Sequence, residues 1–129
     1  LVAVGIDLIP TLCDYAGIEP PEDLRGRSIR PLAEGRDVDG WRSDVVVETR
    51  AGRMLRTDRF KYIVYRSGKH REQLIDLAND PGEMVNVAED PQYRDVLNDH
   101  RRRLSRWVDE TNDEIAAPFL VRADGGSSP

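Results

Sequence analysis

The chain is short of several features that usually announce a function. Cys13 is its only cysteine, so no disulfide forms within it and thiol usage says nothing about redox compartment. His70 and His100 are its only histidines, far apart and without a partner at ligand spacing, so a histidine-built metal centre is not expected. No apolar run approaches the roughly 20 residues needed to span a bilayer. The formal net charge of −5 argues against nucleic acid as the main partner, because phosphate binding needs a surplus of positive charge. Lysine is nearly absent too, with Lys61 and Lys69 in a chain whose positive charge is otherwise arginine. The chain opens on Leu1 with no signal-peptide pattern, and a piece of a longer polypeptide is the expectation. Its 129 residues suit one modest core, and a charged fraction of 33% predicts a thin core under a heavily solvated surface.

Periodicity and punctuation divide the chain. Over 7–16, Leu8, Ile9, Leu12, Cys13 and Ala16 recur at helical spacing and make one apolar stripe. Asp7 is placed to cap this helix, Pro10 falls in its first turn, and Gly17 supplies a left-handed stop. The stripe needs a surface to pack on. Glu19-Pro20-Pro21 breaks the pattern, 26–35 reads as a connector with one helical turn anchored by Ile29 and Leu32, and 36–40 is a polar hinge. Strands are expected at 45–48, 53–57, 60–65 and 73–76. The third carries apolar bulk on both faces and belongs in the middle of a sheet with at least one face covered. The cover is a helix opened by Asp90 and Pro91, with Tyr93, Val96, Leu97, His100, Leu104, Trp107 and Val108 on one face. Beyond Asp113 the pattern fades, and 124–129 reads as a loose tail. The expected fold is α+β: a four-stranded antiparallel sheet covered by a long C-terminal helix and preceded by a short helix and connector.

Three separated phrases carry a family likeness. The first is DLIPTL at 7–12 with Ala16-Gly17-Ile18, and the second is Gly26-Arg27-Ser28-Ile29 with Pro31-Leu32. In the third, Arg53, Arg56, Thr57, Arg59, Lys61 and Tyr62 lead into Leu74, Asp76, Leu77, Asp80, Pro81 and Glu83. In this order they resemble the C-terminal region of formylglycine-dependent (type I) sulfatases of the alkaline phosphatase-like superfamily. The resemblance implies that 1–40 is the last helix and connector of a catalytic α/β domain whose remainder is missing. It makes 41–113 the C-terminal α+β subdomain and 114–129 a tail. It also implies calcium and a formylglycine residue, made from Cys or Ser, for the parent enzyme. The residues that would supply these precede the equivalent of Asp7, so no cofactor is expected in this chain. The resemblance thus makes the chain a non-catalytic portion of a sulfuric ester hydrolase, packed on the N-terminal catalytic domain of its own polypeptide. It would also form part of the rim around a sulfate-ester small molecule or glycan.

Individual residues fit that expectation. Cys13-Asp14-Tyr15-Ala16-Gly17 lacks the Pro and Arg of C/S-x-P-x-R, and a thiol on an apolar stripe packs as a small hydrophobe. The acidic run from Asp76 fails as an EF-hand loop, since its sixth and twelfth positions are Pro81 and Val87. Asp80-Pro81-Gly82-Glu83 reads instead as a turn in which Gly82 takes a positive φ. No metal ligand is assigned. Lys69, His70 and Arg71 form a hairpin tip with two readings, a solvated loop or a substrate rim. Arg56, Arg59 and Lys61 are candidates to grip acidic side chains of the neighbouring domain. Arg101, Arg102, Arg103 and Arg106 read as a solvated helix face offset by Asp95, Asp99 and Asp109. His100 reads as a packing residue. Two rivals stay open: the tail of a phosphonate monoester hydrolase or phosphodiesterase, and a stand-alone, non-enzymatic α+β interaction module. If Leu8, Leu12 and Ile18 find no cover within the chain, they are exposed or form a homo-oligomer through the first helix.

Overall fold

A computed structural model describes residues 1–123, so the expected tail at 124–129 lies outside the described residues. The chain forms two units, Leu1–Val45 and Val46–Pro129.

In the first unit, α1 (Val4–Ala16) begins earlier than the apolar stripe suggests. Asp7 is not its N-cap. The carboxylate sits within the first turns and reaches back to accept the Ala3 backbone N–H at 2.8 Å, satisfying one of the helix's orphan donors. Pro10 therefore lies inside the helix and leaves the Ile6 carbonyl without its helical donor. The connector passes over that carbonyl at Gly26, where a Cβ would stand 1.8 Å from the Ile6 oxygen. Gly17 closes the helix at φ 67°, and the Ile18 N–H bonds the Cys13 carbonyl at 3.0 Å. The single turn α2 (Arg30–Ala33) follows.

Polar side chains of α1 fasten the connector. Asp7 accepts the Arg27 N–H at 2.9 Å and the two guanidinium nitrogens of Arg42 at 2.6 and 2.7 Å. The Thr11 hydroxyl donates to the Asp7 carbonyl and accepts the Ile29 N–H. Asp14 accepts from Ser28 and Arg30. The apolar stripe is split by this arrangement. Cys13 is buried, while Leu8, Leu12 and Ile18 are 51%, 54% and 62% exposed.

The second unit is a meander. β1 (Asp44–Glu48), β2 (Gly52–Thr57), β3 (Phe60–Tyr65) and β4 (Glu72–Asp76) lie in chain order in one antiparallel sheet. Leu55, Tyr62 and Leu74 are opposite one another across β2, β3 and β4, and all three are buried. Asp90 accepts the Gln92 N–H to start a 3₁₀ turn (Pro91–Tyr93), which runs into α3 (Arg94–Thr111). α3 lays Leu97, His100, Leu104 and Val108 into the core, and Asn112 ends it with a left-handed residue. The chain does not leave the core after Asp113. A 3₁₀ turn (Ala117–Phe119) returns it, and Ala116, Phe119 and Leu120 are buried in the same cluster. The free edge of β4 is closed by Asn86, which accepts the Leu74 N–H and donates to the Glu72 carbonyl, while the Val87 N–H bonds the Leu74 carbonyl.

Candidate functional site

The hairpin tip named from sequence is the loop between β3 and β4. The Tyr65 N–H bonds the Arg71 carbonyl at 2.7 Å, and Gly68 turns the loop at φ 119°. Lys69 and His70 are exposed at its end. Arg71 is not. Its guanidinium donates to the Tyr65 carbonyl at 3.1 Å and to the Phe119 carbonyl at 2.8 Å, so it ties the hairpin to the last turn of the core. Behind the tip, His70, Gln73, Asn86 and Glu89 surround a polar hollow of about 280 Å³.

The three residues of the β2–β3 hairpin named for an interface separate in the same way. Arg59 donates two hydrogen bonds to Asp76, at 2.9 and 2.7 Å, and stacks over Phe60. Lys61 pairs with Glu83. Arg56 is opposite Lys61 in the register and makes no ion pair among the described residues. Val47, Met54, Ile63 and Tyr65 line a hollow of about 190 Å³ beside Lys61.

The acidic run is spent on the fold. Asp76 is 2% exposed and accepts from Arg59, Asn79, Tyr93 and the Ala78 N–H. The Arg59 guanidinium holds this carboxyl far below the usual carboxylate range, against the opposing effect of burial. Asp80 accepts the Val85 N–H at 2.7 Å. The positive φ of the turn falls on Glu83, at 55°, and not on Gly82. Among the described residues no group of three or more His, Cys, Asp or Glu side chains is arranged to hold a metal ion. Cys13 is buried in unit one, and His100 bonds the Val96 carbonyl and the Thr57 hydroxyl while its ring meets Phe60 edge-on at 5.6 Å.

Sequence reasoning missed two ion clusters on the sheet, one buried and one half-buried. Arg53 is 3% exposed and grips Asp113 through two hydrogen bonds, at 2.6 and 2.9 Å, which lowers the Asp113 carboxyl. Glu72 accepts the Tyr62 hydroxyl at 2.6 Å and two nitrogens of Arg101, and burial with that carboxylate nearby pushes the Tyr62 phenol up. The arginine-rich face of α3 is thus partly structural, with Arg103 also bonded to Asp99. The only sequence signal was the alternation itself, which places Arg53 and Glu72 on the face of the sheet that carries Leu55 and Leu74.

Comparison with known proteins bears on what this arrangement serves. The family model of the N-sulphoglucosamine sulphohydrolase C-terminal region matches residues 1–110. A Delta 4,5-hexuronate-2-O-sulfatase of Bacteroides thetaiotaomicron is 38% identical over 127 residues, covering 92% of this chain and 26% of that protein. The solved structure of a 2-O GAG sulfatase matches with a TM-score of 0.72 and 35% identity, over 84% of this chain and 25% of that one. The phosphonate monoester hydrolase of Agrobacterium radiobacter matches with a TM-score of 0.66 and 29% identity, over 81% and 24%. The chain spans about a quarter of the length of these relatives.

Proposed function

The chain belongs to the N-sulphoglucosamine sulphohydrolase C-terminal family, and on that premise we propose that it is the non-catalytic C-terminal part of a sulfatase. The observation that carries this reading is the family match over 1–110, joined to the carboxylates Asp76, Asp113 and Glu72, which are spent on the chain's own packing. Relatives of the same kind carry about three times as much polypeptide again. In the parent, formylglycine and calcium would supply the attack on sulfur and the charge stabilisation. The described residues of this chain fit neither group, because Cys13 is buried outside any C/S-x-P-x-R setting and no acidic cluster is free among them.

The chain's own work is then packing and rim formation. On α1, Leu8, Ile9, Leu12 and Tyr15 form an uncovered apolar face, which the preceding catalytic polypeptide would cover. Arg56, unpaired among the described residues, is the member of the Arg56, Arg59 and Lys61 set still free to meet an acidic partner there. Lys69 and His70 would stand at the edge of the substrate opening, with Arg71 holding their loop. The match to a phosphonate monoester hydrolase favours a second reading, in which the parent cleaves phosphonate monoesters or phosphodiesters.

The test is hydrolysis by the purified parent polypeptide of an aryl sulfate, an aryl phosphonate and a phosphodiester, with the 129-residue chain assayed beside it. Sulfate-ester cleavage by the parent and none by the chain is the expected result. Preference for the phosphorus esters supports the second reading, and turnover by the chain alone overturns both.

A further inference from the structure

In a meander the connections β1–β2 and β3–β4 fall at the same end of the sheet, because strand direction alternates. Here the two connections touch. The Arg66 backbone N–H donates to the Ala51 carbonyl at 2.8 Å, one step beyond the Gly52–Tyr65 pair. Arg50, Arg66 and Lys69 are gathered at this end, all three exposed. None of them makes an ion pair or a side-chain hydrogen bond among the described residues. The acids nearest in sequence are engaged elsewhere. Glu48 lies 3.8 Å from buried Arg53, and Glu72 is held by Arg101 and Tyr62. A cluster of three exposed cations, none ion-paired among the described residues, thus stands on a chain of net charge −5.

We propose that this end of the sheet, formed by Arg50, Arg66 and Lys69, is a docking surface for a sulfated polysaccharide chain. It would hold anionic groups other than the ester being cleaved. The proposal rests on the sulfatase reading and extends the rim from the tip of one hairpin to both hairpins. Three cations on exposed side chains suit a spread polyanion better than one small anion. Single-stranded nucleic acid would call for aromatic platforms, and neither 49–51 nor 66–70 contains a Phe, Tyr or Trp.

The experiment compares the parent polypeptide with its R50A/R66A variant, which leaves the rim residue Lys69 in place, by titration with a heparin oligosaccharide, neutral dextran and single-stranded DNA at several salt concentrations. Melting temperature and aryl sulfate hydrolysis are followed in parallel. Binding of the sulfated oligosaccharide should weaken about tenfold in the variant, with a shallower salt dependence. Melting temperature and turnover of the small aryl sulfate should not change, since no substituted side chain supports the fold or the reacting centre. Unchanged affinity in the variant, or DNA binding as tight as the heparin oligosaccharide, overturns the proposal. Failure of the parent to cleave any sulfate ester would overturn the preceding reading instead, and the binding comparison would still decide this one.

Discussion

Single residues carry more of this structure than their type suggests. Gly26 matters for its missing side chain, because the connector lies on a carbonyl that Pro10 has deprived of its donor. G26A is expected to cost about 1–3 kcal/mol, seen as a lower urea midpoint with an unchanged slope. Asp76 matters for its charge. Its folded pKa is lowered, as is that of Asp113, so each contributes stability above its unfolded pKa that is lost as pH falls toward the folded value. Unfolding free energy should therefore drop as pH is taken from about 5 to about 2. D76N should lower stability at pH 7 by about 1–3 kcal/mol and make the acid limb shallower. An acid limb of equal steepness in both proteins would assign the effect to other carboxylates. None of these roles was legible locally. Asp7 meets Arg42 across 35 positions and Arg53 meets Asp113 across 60, and a charged residue in a sequence window does not show whether such a partner exists.

At the scale of elements the pattern was far more legible. β3 and α3 were readable because the face each buries is written at the period of its own geometry, about 2 and 3.6 residues. α1 was legible as a helix but not in its start or its buried side, since polar Asp7, Thr11 and Asp14 make its contacts. The return of Phe119 and Leu120 was invisible because a 3₁₀ turn is too short to have a period. Two substitutions separate these faces. L104A, at a fully buried site on α3, should lose about 2–5 kcal/mol in chemical denaturation. L12S, on the uncovered face of α1, should change the stability of the isolated chain by no more than about 0.5 kcal/mol. In the parent the same L12S change should be clearly destabilising. Equal effects in the two contexts would mean that the face stays in water.

For the molecule as a whole, the family was legible from three phrases, whereas the surface proposed to face substrate was legible only as a hairpin tip. Arg50 joined that tip through a hydrogen bond between two turns, which no linear motif records. The bond from Arg53 to Asp113 has a further consequence. It staples the second strand to the residue just past the long helix, while Arg71 bonds the Tyr65 carbonyl from the far side of the intervening loop. A protease nick within 67–69 would therefore leave both pieces with most of their mutual grip. Expressed separately, the stretches 1–68 and 69–129 should find each other and co-elute, giving a split pair whose reunion reports on the integrity of the fold.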